Sequence, residues 1–511
     1  MSARGLLLPG IIAVLAGLPA AGAVNVIGLF RDRMVVQRDA ELPVWGWGTP
    51  GEALTVEFAG AKSATEVDGE GRWKVTLGRL PAGGPHEMRI TQGAATVTLT
   101  DILVGEVWIG SGQSNMQWGL KNMNHAAEEI AAADYPDIRF LTIQGTAERP
   151  PRGIPCGSLE WFPCTPATAG NLSAVAYFFA RELHNHLKVP IGLIITAQGA
   201  SPIRSWISAE TMQANPIFKE TLEDYTSVPG RYKAFREKYD AYEQSLVKSK
   251  EDGSQPLPWP GAFEGDRSPG PYFYGRVYPL APFAMRGVIW YQGENETMSF
   301  LFPARPERRN NSRTYKEFFP VMIQEWRSLW GRDFPFLYVQ LAPANVPPKA
   351  PVMESGWAEV RDGQRRTLSV RNTAMVVTAD ICEPDLHPRN KVDVGRRLAL
   401  AARALAYEED LVYSGPILER VEFRGREAVL AFAHVGGGLV VKGERLEGFA
   451  VAGADRVFHW ADAEIRGDTV VVRSNEVAAP VAVRYAYSDF PFGNLFNQEG
   501  LPASCFRTDE W

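Results

Sequence analysis

The chain has 511 residues, more than one hydrophobic core of about 250–300 residues sustains, so its length predicts about three domains. Apolar residues make up 45% and charged residues 22% of the chain, the balance of a globular protein. The formal net charge of −6 gives no reason to expect binding to nucleic acid or to an anionic membrane surface. With 7 His and 4 Cys, and no pair at CxxC or HExxH spacing, the sequence also argues against a metal site.

Residues 1–23 predict an export signal. Arg4 precedes an apolar run that ends near Pro19, and the Ala-Gly-Ala of residues 21–23 fits the small-x-small rule for cleavage. A membrane anchor is the alternative interpretation, but prolines interrupt the run and it is shorter than the ~20 residues that a span needs. We therefore expect signal cleavage to leave a mature chain without a membrane span, periplasmic or secreted.

Two of the four cysteines lie close together in the sequence. Cys156 and Cys164 are eight residues apart in the stretch IPCGSLEWFPC, where export would permit a local disulfide. Two buried free thiols are an equally good interpretation, so the pairing stays open. Cys382 and Cys505 are isolated, and we interpret them as packing residues.

Residues 24–102 predict an all-β domain. Short runs with partial alternation, such as ALTVEFAG and RWKVTL, are separated by Gly, Pro and Asp, as in a small β-sandwich. A sandwich that packs on the next domain is the plainer interpretation. A carbohydrate-binding module is the alternative, because Trp45, Trp47 and Trp73 offer rings that stack on sugars.

From residue 103 to 411 the pattern changes to apolar strands that alternate with amphipathic helices. Strands are predicted at Val107–Gly112, Ile191–Ala197, Gly287–Tyr291, Pro335–Ala342 and Ala374–Ala379. Helices are predicted at Ala174–Leu187, Tyr315–Trp330 and about Lys391–Tyr407. Continuously apolar strands are typical of a parallel sheet buried on both faces, so we predict an α/β domain with its site beyond the carboxyl ends of the strands.

Two further segments complete the predicted organisation. Residues 210–275 combine a polar helix with a long Pro- and Gly-rich loop, an insertion that would form a lid or a pocket rim. Residues 412–511 return to hairpin-like β sequence, which predicts a second β domain at the C-terminus.

Three predicted strands end in unusual polar sequence. In GSGQSNMQW, Ser114 lies in a Gly-rich strand-to-helix turn, the placement of a nucleophilic serine, although a helix N-cap explains a lone serine equally well. In TAQGASPIRSW, Gly199 brings a bare backbone N–H close to a substrate oxygen, or simply makes a tight turn. In WYQGENE, polar side chains crowd directly after the strand, where Asn295 could donate to an oxyanion or a solvated loop could form.

A serine nucleophile at neutral pH needs a proton acceptor, usually histidine. Most of the seven histidines lie in the predicted β domains, in a polar stretch or on the solvated side of a helix. His387 differs because it follows the strand AMVVTAD, with Asp380, Glu383 and Asp385 nearby. We therefore predict His387 as the base, with an ordinary turn histidine as the alternative.

At this point the sequence resembles a known family. The motifs GQSN, the downstream Gly, WYQGE and a late DxH resemble the blocks of SGNH hydrolases. More closely, LFRDRMVVQRDAELPVWGWGTPGEALTVEF, HPRNKVDVGRRLALAARALAY and GLPASCFRTDEW are similar to the sialate O-acetylesterase family. The likeness covers nearly all of the mature chain. It implies a flavodoxin-like, three-layer catalytic domain that removes O-acetyl groups from carbohydrate.

By position, the resemblance implies Ser114 as nucleophile and His387 as base. It also implies an oxyanion hole from the N–H groups of Ser114 and Gly199, with Asn295 or Gln292 as a side-chain donor. The SGNH pattern has an acid three residues before the histidine, where this chain has Pro384. The group that orients the ring therefore stays open between Asp385, Glu294 and a backbone carbonyl.

The implied acyl transfer needs no cofactor and no metal, and its partner is an O-acetylated carbohydrate. For a sialate carboxylate, Arg204 and Arg361 are the candidate partners, with Glu294 a further candidate to bind the substrate. Acetylated xylan or another plant polysaccharide, which would need neither arginine, is the alternative substrate. A carbohydrate-binding protein with a decayed site is the alternative of another class. The oligomeric state is left open.

Overall fold

The computed structural model describes residues 24–147, 159–223, 269–297, 309–343, 347–381, 383 and 385–511, with a few residues between 237 and 257. The predicted export signal, Cys156 and most of the predicted insertion lie outside the described residues. Within them, the chain forms a central α/β unit with further β-sheets before and after it, which confirms the predicted combination. No helix in these described ranges is long and apolar enough to cross a membrane.

The described residues begin with seven strands that form two sheets. They are β1 Asn25–Val26, β2 Val35–Gln37, β3 Leu42–Trp47, β4 Ala53–Phe58, β5 Ala61–Glu66, β6 Arg72–Leu77 and β7 Gly83–Gln92. One sheet has the order β1-β3-β6, and β5, β4 and β7 form an antiparallel ladder in the other. Alternate residues of β4 and β6 are buried, so each strand turns one face to the core. Trp73 is buried and donates to the Trp47 carbonyl at 3.0 Å, which favours packing over sugar binding for this side chain.

Strand β8, Ala95–Gly112, joins this region to the central part of the chain. Its first half pairs with β7 and β2, and its second half pairs with strands of the central sheet. The predicted boundary at 102/103 therefore falls inside one continuous strand. The two regions share an apolar core that extends from Val24 to Ile417, which holds the end of β8 in a fixed position.

In the part of the central unit that the structure describes there are six further strands: β9 Tyr135–Thr142, β10 Phe162–Cys164, β11 Ile191–Ile195, β12 Gly287–Tyr291, β13 Phe336–Val339 and β14 Thr373–Val376. Its helices are α1 Ser114–Gln117, α2 Ala126–Ala131, α3 Ala174–Leu187, α4 Ala209–Ala214, α5 Glu294–Thr297, α6 Arg309–Trp330, α7 Gly356–Arg366 and α8 Val392–Ala406. Strands β9, β11, β8, β12, β13 and β14 pair in that order and in parallel, while β10 adds an antiparallel edge. All five strands and three helices predicted for this region are present.

Helices cover both faces of the parallel sheet. Trp108 of β8 packs against Phe179 of α3, with ring centroids 5.0 Å apart. Trp290 of β12 packs against Trp326 of α6 at 5.9 Å and lies opposite Ser111 of β8. Because Trp108 and Ser111 are three residues apart on one strand, the two tryptophans point to opposite faces. Burial on both faces explains why these strands are apolar throughout.

Cys164 lies at the end of β10, where it is buried and carries a free thiol. Burial raises the pKa of this thiol to about 12, so the thiol stays protonated. The open alternative of a disulfide to Cys156 involves a partner outside the described residues.

The C-terminal part forms antiparallel sheets around an apolar core of its own. Its strands are β15 Ile417–Arg424, β16 Glu427–Ala433, β17 Leu439–Val441, β18 Phe449–Ala452, β19 Phe458–Trp460, β20 Asp462–Arg466, β21 Thr469–Arg473, β22 Ala482–Tyr485, β23 Leu495–Asn497 and β24 Phe506–Arg507. They pair as β15-β16-β21-β20, β17-β23 and β19-β18-β22-β24. The Gln340 amide donates to Ser504 Oγ at 2.9 Å and fastens this part to the central sheet.

Candidate active site

Ser114 lies at a sharp turn at the carboxyl end of β8. Gly112 has a φ of +127°, and a Cβ at this position would lie 2.1 Å from the Tyr291 carbonyl oxygen, so only glycine fits. The next N–H, of Gln113, donates to that carbonyl at 2.9 Å. Helix α1 begins at Ser114 itself, which leaves the half-buried serine facing the edge of the sheet. A serine in this position is accessible while its backbone is fixed.

His387 contacts the serine directly. Its Nε2 lies 2.8 Å from Ser114 Oγ, although the two residues are 273 positions apart. Burial lowers the pKa of the imidazole, the positive Lys391 lowers it further, and Asp385 opposes both. A lowered pKa keeps the ring neutral near pH 7, the state in which Nε2 accepts the serine proton. The structure thus brings together the two residues predicted as nucleophile and base.

Asp385 does not contact the imidazole ring in a hydrogen bond. Its Oδ1 accepts from the backbone N–H of His387 at 3.0 Å, an Asx turn within the loop. Among the described residues, none makes a hydrogen bond to Nδ1 of His387. Asp385 therefore fixes the backbone of the loop, and its predicted role at the ring is not what this geometry provides.

We expect Asp385→Asn to keep activity within about threefold of wild type, since the amide oxygen still accepts the His387 N–H. Asp385→Ala should cost about fivefold, the worth of one backbone hydrogen bond of ~1 kcal/mol. Initial rates on a chromogenic acetyl ester measure both. A loss near the ~10⁴-fold of a triad aspartate in the Asn variant would contradict this and place the carboxylate at Nδ1.

Trp118 stacks on the histidine ring. The two ring centroids are 4.4 Å apart and the planes are inclined by 19°. Trp118 follows Ser114 by four residues, so the turn of α1 sets both side chains on one side. Sequence reasoning missed Trp118, although the spacing of four after the serine was a usable signal.

Asn115 connects the turn that carries Ser114 to the loop that carries His387. It follows Ser114 directly, and its Nδ2 donates to the carbonyl of Leu386, the residue before His387, at 3.0 Å. The same amide nitrogen donates to Glu294 Oε1. Asn115 is buried, so these bonds are shielded from water. The distance between nucleophile and base is therefore set by a side chain that sequence reasoning did not single out.

Lys391 and Glu294 are buried beneath Asn115. Lys391 Nζ donates to Asn115 Oδ1 at 2.5 Å, and its side chain is 1% exposed. Burial lowers the pKa of Lys391 to about 7 and raises the pKa of Glu294. Glu294 is thus part of the support under the site and is buried away from the substrate position predicted for it.

Replacing Lys391 with methionine should move the acid limb of the kcat/KM profile to higher pH. Below pH 7 Lys391 is mostly protonated, and its charge lowers the pKa of His387; its removal therefore raises that pKa, and more of the base is protonated at a given pH. A pH–rate profile measures the shift, with exposed Lys74→Met on β6 as control. An unmoved limb would show that Lys391 exerts no charge effect on the base.

The backbone N–H of Gly199 lies beside the nucleophile. A Cβ on Gly199 would lie 3.7 Å from Ser114 Cβ, so the two backbones approach closely. In this structure the Gly199 N–H donates to Oε1 of Gln117 at 2.9 Å, and Gln117 is exposed on α1. An amide oxygen therefore occupies the position in which a substrate carbonyl oxygen would accept the same bond.

Asn295 and Gln292 take different places. Asn295 is half-buried, and its Nδ2 donates to the Ala200 carbonyl at 2.9 Å, which holds the Gly199 turn. Gln292 is fully buried and donates to the Ser201 carbonyl and to Glu296. Gln292 therefore supports the turn from below, and its amide does not reach the surface as an oxyanion donor.

The two arginines predicted to bind a substrate carboxylate lie in different environments. Arg361 is 0% exposed and donates to four backbone carbonyls, those of Leu341, Ala342, Ser488 and Asp489. The guanidinium of Arg361 thus holds the C-terminal part against α7, and Arg361 does not lie at the site of Ser114 and His387. Arg204 is half-buried in the 3-10 turn Ile203–Trp206, which follows the Gly199 loop.

Glu296 is buried beside this loop and accepts the Ile203 N–H at 2.6 Å. Burial raises the pKa of Glu296 to about 7, while the positive Arg204 lowers it.

Within the described ranges, no three His, Cys, Asp or Glu side chains are grouped closely enough to hold a metal ion.

Comparisons with known proteins agree with this chemistry. The family model described as "Carbohydrate esterase, sialic acid-specific acetylesterase" matches residues 275–404. Sialate O-acetylesterase of Rattus norvegicus is 30% identical over 435 residues, which cover 78% of this chain and 76% of the relative. Sialate O-acetylesterase of Homo sapiens is 28% identical over 502 residues, which cover 90% and 86%.

A solved structure is similar over almost the whole length. It is a carbohydrate acetylesterase from Xanthomonas citri, with a TM-score of 0.80 and 37% sequence identity. The likeness covers 95% of this chain and 100% of that chain, so it includes the β-sheets that precede and follow the central unit.

Proposed function

The chain belongs to the sialate O-acetylesterase family of carbohydrate esterases, and we propose that it removes O-acetyl groups from sialic acids with Ser114 as nucleophile. The observation that carries the proposal is the 2.8 Å contact between Ser114 Oγ and His387 Nε2 at the carboxyl end of the parallel sheet. Ligands of such sheets bind at this edge.

The proposed reaction has two halves. Ser114 Oγ attacks the acetyl carbonyl while His387 takes its proton, and the imidazolium then protonates the leaving sugar oxygen. The sugar leaves with its hydroxyl restored and the acetyl group remains on the serine. His387 next takes a proton from water, whose oxygen attacks the acetyl-serine. The ester bond to Ser114 Oγ then breaks, the imidazolium returns the proton to Oγ, and the acetyl group leaves as acetic acid, which ionises to acetate in solution. His387 therefore mediates each proton transfer on the enzyme in this cycle.

The oxyanion of each tetrahedral intermediate would be held by backbone donors. We assign this role to the N–H groups of Ser114 and Gly199, with the Gln117 amide oxygen displaced by the substrate. Asn295 has a second N–H on Nδ2 that its bond to Ala200 does not use, and we keep it as the side-chain donor.

The fold and the location of the protein enter the proposal as well. The six described parallel strands with helices on both faces support the SGNH-hydrolase architecture implied by the sequence motifs.

We also propose that the protein is exported, because residues 1–23 resemble an export signal. Its fractionation with a periplasmic or culture-medium marker tests the second point.

A neutral acetylated polysaccharide is the second candidate substrate. The observation that favours it is the burial of Arg361, which leaves Arg204 as the remaining arginine predicted to pair with a sialate carboxylate. If the substrate is a sialate, a charge-assisted bond from Arg204 should contribute about 1.5–3 kcal/mol, or about 10- to 100-fold in binding.

The test compares acetate release from O-acetylated sialic acid, its methyl ester and acetylated xylan. For wild type we expect the free acid to have the highest kcat/KM, and for Arg204→Gln a KM raised about 10- to 100-fold on the acid alone. Arg371→Gln, exposed in the turn before β14, is the matched control. Equal KM changes on the acid and its ester would remove the carboxylate contact, and xylan as best substrate would select the second candidate.

A further inference from the structure

A histidine that acts as a general base must hold its ring in one orientation, and in serine hydrolases a carboxylate at Nδ1 does this. The loop around His387 contains three carboxylates, and each has another partner. Asp385 accepts the backbone N–H of His387, Asp380 pairs with Arg397, and Glu383 accepts the N–H groups of residues 389 and 390. Among the described residues, none of them bonds Nδ1. Some other contact must set the plane of the ring.

The stacked indole of Trp118 is that contact. The rings lie face to face at 4.4 Å and 19°, so rotation of the imidazole out of this plane would drive its edge into the indole. The plane allowed by the stack is the one in which Nε2 points at Ser114 Oγ, 2.8 Å away.

The backbone of Trp118 is held by a hydrogen bond at its N–H and another at its carbonyl. The N–H of Trp118 donates to the Ser114 carbonyl and its carbonyl accepts from the N–H of Ala174, each at 2.8 Å. The first bond fixes Trp118 to the nucleophile turn and the second to the first residue of α3. The backbone of Trp118 is therefore held beside the nucleophile, and His387 contacts both Ser114 Oγ and the indole ring.

The same ring face is suited to the charge that forms during the reaction. Burial and the positive Lys391 both disfavour a protonated His387, and only in part does the nearby Asp385 oppose them, because the pKa of the ring is lowered on balance; a further neighbour that stabilises the imidazolium would assist the reaction. A tryptophan face within about 6 Å of a cation supplies such an attraction.

We propose that Trp118 is a positioning residue that takes the place of the triad carboxylate, because it fixes the plane of His387 and stabilises its imidazolium. This rests on the proposed function, in which Ser114 and His387 carry the chemistry. The alternative role for an aromatic ring at this edge, stacking on the sugar, predicts a change in KM instead of kcat.

Steady-state kinetics of Trp118→Leu and Trp118→Phe on a chromogenic acetyl ester and on the acetylated sugar test the proposal. Leucine keeps apolar volume without a π face, and we expect kcat to fall about 10- to 100-fold with KM unchanged on both substrates. Phenylalanine keeps a face and should retain at least about a third of the wild-type kcat. Trp460→Leu, 37% exposed in the C-terminal part, is the matched control.

A spectroscopic readout does not depend on the variants being active. In wild-type protein labelled with ¹³C at histidine Cε1, the His387 Cε1–H resonance should be shifted upfield by the ring current of the indole. The shift should disappear in Trp118→Leu, remain in Trp118→Phe, and be measurable in wild type even if the leucine variant fails to fold.

Four results would overturn the proposal: an unchanged kcat in Trp118→Leu, a raised KM with normal kcat, no rescue by phenylalanine, or no upfield shift in wild type. Ser114→Ala, assayed beside these variants, separates this failure from that of the proposed function. If Ser114→Ala is inactive while Trp118→Leu is normal, only the role of Trp118 is lost. If Ser114→Ala is active, the proposed function itself fails.

Discussion

Replacing Ser114 with alanine should lower the kcat of acetate release by at least about 10⁴-fold while the protein stays folded. Removal of a serine nucleophile that acts with a histidine base has an effect of this size, and the residual rate comes from substrate binding and the oxyanion donors. Ser114 is half-buried, and within the described residues its side chain makes a hydrogen bond to His387 alone, so the missing hydroxyl should leave the packing intact.

The matched control for this prediction is Ser111→Ala. Ser111 lies three residues earlier on the same strand, and its buried hydroxyl has no hydrogen-bond partner in the described part of the chain. Its removal should be neutral for activity and for thermal unfolding. Wild-type protein and the control should also gain the mass of one fluorophosphonate adduct, and Ser114→Ala should not. A covalent adduct on the Ser114→Ala protein would show that another residue is the nucleophile.

That Ser114 and His387 lie together was predictable from sequence because of the sheet. Continuously apolar strands predicted a parallel sheet, and carboxyl ends of parallel strands meet at one edge. Ser114, Gly199 and His387 each follow a different predicted strand. The rule that the carboxyl ends of parallel strands meet at one edge therefore predicts that Ser114 and His387 lie close together, although they are 273 positions apart. Helix bounds were also predictable where an amphipathic pattern ends at a residue that stops a helix. The helix Ala174–Leu187, which ends shortly before Pro190, is an example.

The roles of the side chains around the pair were harder to predict. In WYQGENE, Gln292, Glu294 and Glu296 are buried in hydrogen-bond networks under the site, while Asn295 lies nearer the surface. A sequence shows that these residues follow a strand, but the direction of each side chain depends on the short helix α5, which propensity does not reveal. Arg361 was misplaced for the same reason, since helix α7 was not among the predicted elements.

The supporting residues were missed because their chemistry lies in tertiary contacts. Asn115 joins the serine turn to the histidine loop, and Lys391 holds Asn115 from below. Neither residue has a role that composition or periodicity would reveal, since each matters only once the two loops meet. The domain boundary at 102/103 is a related case, because β8 continues through it and Asp101, although its φ is +55°, does not end the strand.

Replacing His387 with alanine should be nearly as damaging as the loss of the serine, with kcat lowered by about 10⁴-fold or more. Without the imidazole, Ser114 has to lose its proton to water or hydroxide, so the remaining rate should rise with pH instead of levelling off above the pKa of the base. Initial rates from pH 5 to 10 measure both features.

The space left by this substitution offers a sharper test. Ser114 Oγ lies on one side of the missing ring and the flat indole of Trp118 on another, so free imidazole should fit the slot and restore part of the rate. His125→Ala, an exposed histidine eleven residues after Ser114, should behave as wild type and show no response to imidazole. A His387→Ala protein within tenfold of wild type would remove the general base from the mechanism. If His387→Ala loses activity and added imidazole restores none of it, the result would indicate that the ring of His387 acts mainly by supporting its loop, and not by transferring a proton.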